Sequence, residues 1–271
     1  MVLDLNSGSR FVYGRPTGEP TLGERIGGLV DAALLAEREA MPPRNYLGAS
    51  RIGEPCARRL CYEVMHLPPD PGKAFTGRLL RVFETGHRFE GMTIRWLRLA
   101  GFDLRTCKRD GSQFGFSAAD GRFQGHIDGV IVDGPDVGFP YPVLFEHKAV
   151  NDATWSEIVK RGLRSAAPVY WSQVQVYMAY LEIERTLVVA LDKDTEALTF
   201  DLIAFDPTAA QDLSDKAVAV LSAVDAGELL PRIAAREDFY LCRMCPFAGR
   251  CWHAEQPPKS VPSLPSWRRA A

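Results

Sequence analysis

The sequence lacks a marked excess of charge of either sign, because 32 Lys and Arg residues stand against 34 Asp and Glu residues and leave a net charge of −2. Overall charge therefore does not indicate a nucleic-acid binder, and any contact with DNA must come from local basic patches. The chain also lacks internal repeats and a G-X-X-X-X-G-K-[ST] phosphate-binding loop. The absence of that loop excludes nucleotide hydrolysis by that route.

Long apolar runs are missing as well. No run approaches the length that spans a bilayer, and the first residues, MVLDLNSGSR, lack the features of a secretory signal. We therefore expect a cytoplasmic protein without a membrane partner. In such a reducing compartment, the six cysteines are more often metal ligands or catalytic groups than disulfides.

What the chain does contain is enough apolar material for a sizeable core. Hydrophobic residues make up 46% of its 271 positions, which suits one large domain or one domain with appendages. We predict an N-terminal extension over residues 1–45 with one helix, a main domain over residues 46–253, and a flexible tail over residues 254–271.

Two strands joined by a Gly- and Pro-rich loop are predicted between residues 124 and 150. Asp128 lies on the first strand. On the second, Glu146 and Lys148 share one face while His147 points to the other, because side chains alternate along a strand. Buried carboxylates must be paired or bound to a metal ion, so a divalent cation between Asp128 and Glu146 is one interpretation. A solvated hairpin with a surface ion pair is an equally good interpretation of these strands alone.

Two predicted helices carry polar residues on faces that should enter the core. A long helix over residues 76–100 places His87 and Glu90 on an otherwise apolar stripe, where a metal site would satisfy them. For His87 alone, a hydrogen-bonded core histidine is the favoured interpretation. A second helix, opened by Pro168, places Gln173 and Tyr177 four residues apart on one face. A simple amphipathic helix packed on a sheet would show the same spacing.

These residues resemble, in order along the chain, the motifs of one nuclease superfamily. An aspartate followed by Glu-X-Lys is the signature of the PD-(D/E)XK nucleases, and two further motifs resemble those of its RecB-like and phage-exonuclease branches. The matching segments are Gly86-X3-Glu90, Asp128 with Glu146-X-Lys148, and Gln173-X3-Tyr177. The resemblance implies an α/β fold with a restriction-endonuclease-like core, in which a mixed central sheet is flanked by helices.

The resemblance also implies a Mg²⁺- or Mn²⁺-dependent DNA nuclease. Asp128 and Glu146 would hold the catalytic ion, and the backbone carbonyl of His147 could add a ligand. Glu90 would complete the coordination shell directly or through water, with His87 as the alternative helical ligand.

Three further residues have roles implied by the same resemblance. Lys148 would position the attacking hydroxide or stabilise charge on the phosphorane. Gln173 and Tyr177 would orient the scissile strand.

A cluster of cysteines near residue 250 predicts a second site. Cys242, Cys245 and Cys251 form a C-X2-C-X5-C array, and soft-metal sites of this kind usually take four thiolates. Cys56, at the predicted start of a helix, is the candidate for the fourth ligand. The alternative is structural zinc with His253 as the fourth ligand, although only one residue separates His253 from Cys251.

One distant cysteine combined with a C-X2-C-X5-C array closely resembles the 4Fe-4S nucleases. These include the CRISPR-adaptation nucleases and the iron–sulfur nuclease domains of bacterial recombination helicases. The resemblance implies a 4Fe-4S cluster that clasps the two ends of the domain, and a clip that closes so long a loop constrains the unfolded chain. Cys61 and Cys107 are expected to pack in the core.

We therefore expect an exonuclease that acts on single-stranded DNA or on DNA ends in a bacterial or phage-infected cell. Its process would be recombination, repair, or phage or CRISPR DNA processing, beside a helicase, a strand-annealing protein or CRISPR adaptation proteins. Two alternatives come from other classes. One is a catalytically silent nuclease fold that holds DNA or assembles a complex. The other is a zinc-containing DNA-binding module.

Overall fold

The computed structural model of the chain describes residues 20–253, which fall into two compact units. The described part of the first unit comprises residues 20–42 and 75–81, and that of the second comprises residues 43–74 and 82–253. The predicted tail over residues 254–271 lies outside the described residues. None of the helices in the described part is long and apolar enough to cross a membrane.

Helices and strands alternate along the second unit. The helices of the described chain are α1 (Leu22–Ala40), α2 (Ala57–Val64), α3 (Gly77–Leu99), α4 (Asp152–Arg161), α5 (Leu163–Ala166), α6 (Pro168–Leu181), α7 (Pro207–Ala226), α8 (Tyr240–Arg243) and α9 (Ala248–His253). The strands are β1 (Leu47–Gly48), β2 (Asp103–Arg105), β3 (Gly115–Ala118), β4 (Phe123–His126), β5 (Gly129–Asp133), β6 (Val143–Val150), β7 (Arg185–Asp192) and β8 (Leu198–Ala204).

The first unit contains α1, which begins with a complete capping box. The hydroxyl of Thr21 accepts a hydrogen bond from the backbone N–H of Glu24 at 2.9 Å, and the Glu24 carboxylate accepts one from the N–H of Thr21. This reciprocal pair satisfies two backbone donors that a helix start leaves free. Arg81 forms an ion pair with Asp31 in the same unit.

Two mixed sheets form the centre of the second unit. The larger has the order β2-β5-β6-β7-β8, with β6 and β7 parallel and the other neighbours antiparallel. The smaller has the order β1-β4-β3, in which β1 and β4 are parallel. The predicted α/β fold, with a mixed central sheet flanked by helices, is confirmed.

Helices cover both faces of the larger sheet because neighbouring residues of β6 point to opposite sides. Phe145 belongs to a buried cluster that Ile94 and Leu97 of α3 complete. Leu144 belongs to a second, larger cluster on the opposite side, which includes Val174 of α6 and residues of α7. β6 is therefore an interior strand, covered on both faces and paired on both edges.

The strand that was predicted to run through Asp128 is in fact two strands. β4 ends at His126 and pairs within the smaller sheet, whereas β5 begins at Gly129 and pairs within the larger one. The chain passes from one sheet to the other at Ile127 and Asp128. Alternation of side chains along one strand therefore does not fix the direction of Asp128.

The predicted apolar stripe of α3 enters the core only over its last turns. Ile94 and Leu97 are each 8% exposed, but Phe83 is 48% exposed, His87 is exposed and Glu90 is half-buried. The prediction that the whole stripe is buried was wrong, because the buried cluster on this face takes residues of α3 only from Ile94 onwards. Glu90 consequently lies at the margin of the core.

Candidate active site

Strand β6 presents Glu146 and Lys148 on one face of the larger sheet, as the alternation of side chains predicts. The Glu146 side chain is 2% exposed, and its Oε1 accepts a hydrogen bond from Lys148 Nζ at 2.5 Å. Lys148 is itself mostly covered, with 17% of its side chain exposed. The glutamate and lysine of the Glu-X-Lys segment thus form a buried ion pair rather than a solvated one.

Asp128 is fixed beside this pair by the backbone of the neighbouring strand. Its Oδ2 accepts a hydrogen bond from the backbone N–H of His147 at 2.7 Å. The imidazole of His147 lies on the other face of β6 and is buried. Burial, reinforced by the charge of Lys148, lowers its pKa to about 4, so the ring is neutral at pH 7.

Three carboxyl groups share the charge of one ammonium at this site. Burial raises the pKa of Glu146 to about 8, and repulsion from Asp128 adds to the effect while Lys148 opposes it. Burial raises the pKa of Glu90 to about 7, again with repulsion from Asp128. The pKa of Asp128 is also raised by burial, and Lys148 and His87 act against the rise. Such a concentration of buried acids favours binding of a cation.

Helix α6 supports the carboxylate of Glu146 through the side chains of Gln173 and Tyr177. Gln173 Nε2 donates to Glu146 Oε1 at 2.7 Å and to the hydroxyl of Tyr177 at 2.9 Å. The Tyr177 hydroxyl donates in turn to the backbone carbonyl of His126 at 2.7 Å. A Cβ at Gly125 would lie 2.5 Å from the Tyr177 ring, so only glycine allows β4 to approach this closely.

Glu146 Oε1 accepts two hydrogen bonds, but the buried Oε2 has no hydrogen-bond partner. An unpartnered buried carboxylate oxygen next to Asp128 fits an oxygen-ligated divalent cation. Within residues 20–253, no three His, Cys, Asp or Glu side chains converge closely enough to hold one ion. Two carboxylates suffice for Mg²⁺, which keeps several water ligands and binds substrate phosphates.

The structure adds one residue to this site that the sequence motifs did not indicate. The Nζ of Lys148 lies 4.9 Å from the ring centroid of Tyr170. Tyr170 precedes Gln173 by three residues on α6, and the helical spacing i, i+3 was the signal that could have identified it. Of the predicted residues, Glu146, Lys148, Gln173 and Tyr177 are linked by hydrogen bonds. Asp128 is held by the backbone N–H of His147 and, like Glu90 and His87, interacts with the other charged groups of the site electrostatically.

Replacing Tyr177 with phenylalanine should lower the free energy of unfolding by about 1 kcal/mol, because its hydroxyl links Gln173 to the carbonyl of His126 inside the protein. Tyr180→Phe is the matched control on the same helix, since its hydroxyl contacts the Ser214 hydroxyl at an exposed position. We expect the control to change the free energy of unfolding by less than about 0.5 kcal/mol. Urea denaturation of both variants measures the difference, and equal losses would contradict the linking role.

The four cysteines of the predicted cluster line one pocket, which we call the cysteine pocket. It is partly open to solvent. Its wall combines thiols, cations and aromatic rings, including Cys56, Cys242, Cys245, Cys251, Arg58, Arg59, Arg232, Tyr62 and Trp252. The structure therefore brings together cysteines that are almost two hundred residues apart in the sequence.

Contacts between side chains and backbone already join the two segments that carry these cysteines. The carboxylate of Asp70 accepts hydrogen bonds from the backbone N–H groups of Gly249 at 2.6 Å and Arg250 at 3.1 Å. The rings of Tyr62 and Phe247 pack with centroids 5.2 Å apart. The two ends of the domain are thus held by direct contacts beside the cysteine pocket.

The remaining cysteines and His253 lie elsewhere. Cys61 is fully buried, as predicted, but the prediction that Cys107 packs in the core is wrong. Cys107 is exposed because it lies beyond the end of β2, in the connection to β3, where it makes only an isolated bridge with Gln113. His253 is exposed, and its Nε2 lies 2.9 Å from the carboxylate of Glu237.

Comparison with known proteins finds similarity only to solved structures. No protein-family model and no curated protein matches the chain. Among solved structures, it is similar to an alkaline exonuclease (LHK-Exo) from Laribacter hongkongensis, with a TM-score of 0.48, 18% identity, and coverage of 73% of this chain and 93% of that one. LHK-Exo in complex with dAMP gives a TM-score of 0.48 at 18% identity, covering 67% and 89%. The crystal structure of SSO0001 is similar with a TM-score of 0.46 and 15% identity, and the match covers 85% of this chain and 98% of that one.

Proposed function

We propose that this chain is a Mg²⁺- or Mn²⁺-dependent DNA exonuclease of the PD-(D/E)XK superfamily. The observation that carries the proposal is the environment of Glu146, whose buried carboxylate contacts Lys148 and Gln173 through one oxygen and leaves the other without a partner beside Asp128. A solvated surface ion pair, the alternative interpretation, would not be buried in this way.

The acidic residues of the site would hold the ion. Asp128 and Glu146 would be the direct ligands, the carbonyl of His147 would be a further candidate, and Glu90, directly or through water, or His87 would act from α3. The bound ion would supply Lewis-acid polarisation of the phosphate and a water molecule of lowered pKa. The backbone N–H of His147 fixes the orientation of the Asp128 carboxylate for this role.

The other polar residues would act on the substrate or on the ligands. Lys148, with its charge retained inside the site, would orient the attacking water or stabilise negative charge that develops on the phosphorane. Gln173 holds the Glu146 carboxylate in place, and Tyr177 holds Gln173. Because Gln173 and Tyr177 lie beside the carboxylates, they would also orient the scissile strand.

We further propose that the cysteine pocket holds a 4Fe-4S cluster. Four thiols from two distant segments line the pocket, together with the cationic side chains of Arg58, Arg59 and Arg232. A 4Fe-4S cluster takes four cysteine thiolates, and this ligand set supplies that number. The position of His253, paired with Glu237 in solvent, also favours four thiolates over a Cys3His zinc site.

The nuclease proposal is tested by measuring DNA binding and DNA cleavage separately. Fluorescence anisotropy in EDTA reports binding, and end-labelled single- and double-stranded DNA with Mg²⁺, Mn²⁺ or EDTA reports cleavage. We expect binding in EDTA and progressive shortening from an end only with metal. Binding without cleavage under any metal condition would instead support the DNA-holding module.

A further inference from the structure

Tyr170 occupies the face of α6 that points at the candidate active site. Tyr170, Gln173 and Tyr177 follow the spacing i, i+3, i+7, so their side chains form one stripe along the helix. Gln173 contacts Glu146 directly, and Tyr170 presents its ring to Lys148, with 4.9 Å between Nζ and the ring centroid. The ring is half-buried, and it lies next to an ammonium that is itself mostly covered.

Lys148 is restrained by two contacts of different chemical character. One is the hydrogen bond to Glu146 Oε1, and the other is the cation–π contact with Tyr170. The carboxylate of Glu146 neutralises the ammonium and occupies one of its three N–H donors. The aromatic face of Tyr170 attracts the charge but forms no directed hydrogen bond, so it occupies none of these donors. Tyr170 therefore holds Lys148 while leaving its charge and donors available.

The hydrogen bond to Glu146 is the contact that the reaction itself would weaken. A cation bound at the free Oε2 would draw negative charge away from Oε1 and would so weaken the hydrogen bond between Oε1 and the ammonium. The lysine side chain has four rotatable carbon–carbon bonds, and without a second restraint the ammonium would sample many positions. The ring of Tyr170 is the restraint that this weakening does not remove.

We infer that Tyr170 is a positioning residue whose ring holds the ammonium of Lys148 beside Glu146 for its action on the substrate. The inference rests on the proposed nuclease function. It assigns Tyr170 no contact with the DNA, only the restraint of Lys148. A group that acts in the transition state through another residue should affect kcat more than KM.

Steady-state cleavage by three single variants tests this inference. Tyr170→Leu should lower kcat on the order of 10-fold with KM changed less than about twofold, because cation–π contacts of partly buried groups have about this effect. Tyr170→Phe keeps an aromatic face, so its kcat should stay within about twofold of wild type. Trp171→Leu is the matched control and should keep the kcat and KM of wild type. It removes a neighbouring cation–π contact outside the site, in which Arg164 lies 4.3 Å from the centroid of the Trp171 ring.

A double-mutant cycle separates positioning from a structural effect. In a Lys148→Ala background, Tyr170→Leu should cause no further loss of kcat, because the residue that it restrains is gone. Multiplication of the two losses would overturn the inference. So would a kcat of Tyr170→Leu equal to wild type, or equal losses in Tyr170→Leu and Tyr170→Phe.

Chemical labelling of lysines tests the same contact when no cleavage is observed. Metal-free protein is treated with an amine-reactive ester, and mass spectrometry follows the peptide that contains Lys148. Tyr170→Leu should raise the labelling rate of Lys148 about fivefold or more, while Tyr170→Phe should match wild type. Lys216, held by the carbonyls of Ile52 and Glu54, is the internal control and should not change. Wild-type protein that fails to cleave DNA refutes the proposed function, and unchanged labelling of Lys148 refutes the role of Tyr170.

Discussion

Glu146→Gln should reduce metal-dependent DNA cleavage by about 10³-fold, the largest single effect expected at the site. The carboxylate is buried, and its free oxygen is the best-placed ligand for the ion. Glutamine has the same shape but carries no charge, so the variant loses the electrostatic stabilisation of the bound cation. Several kcal/mol of transition-state stabilisation correspond to a loss of this size. Cleavage of end-labelled DNA under single-turnover conditions measures it.

The same substitution should leave the protein folded. The glutamine carbonyl oxygen can still accept from Lys148 and Gln173, so the hydrogen bonds at Oε1 are kept. Glu184→Gln, an exposed glutamate before β7, is the matched control and should cleave like wild type. Near-wild-type cleavage by Glu146→Gln with a cooperative thermal transition would contradict the assignment of Glu146 as a metal ligand.

The second large effect is expected from Cys56→Ser. Protein purified without oxygen should contain roughly four iron atoms per chain if the cysteine pocket holds a 4Fe-4S cluster, and the serine variant should contain almost none. Its thermal transition should also fall by several degrees, because the cluster would close a loop that runs from Cys56 to the last cysteines. Iron analysis and calorimetry measure the two losses.

Cys107→Ser provides the control for this loss. Cys107 is exposed and does not line the cysteine pocket, so its substitution should leave both iron content and thermal transition unchanged. Zinc in place of iron in the wild-type protein would contradict the cluster. Retention of iron by Cys56→Ser would show instead that Cys56 is not a ligand.

Local signals in the sequence account for the best-predicted elements. Proline at the first helical position predicted the start of α6, and the alternation of side chains predicted that Glu146 and Lys148 share a face. These signals depend on a few neighbouring residues. They are therefore readable without knowledge of the rest of the fold.

The features that depend on distant partners were predicted less well. The break at Asp128 arises because β4 and β5 pair in different sheets, which no local pattern shows. The exposure of Phe83 depends on where the packing of α3 ends. The convergence of Cys56 with the later cysteines was suggested by the incomplete cysteine array and by resemblance to iron–sulfur nucleases, not by a local pattern. The contacts of Asp70 that accompany it carry no sequence signal.

The most direct test of the central claim is a time course of phosphodiester cleavage by the wild-type protein, purified without oxygen, on end-labelled DNA. The account predicts that Mg²⁺ or Mn²⁺ starts the shortening of DNA and that EDTA stops it. Cleavage that persists in EDTA, or intact DNA in the presence of either ion, would contradict a metal-dependent nuclease built on Asp128, Glu146 and Lys148.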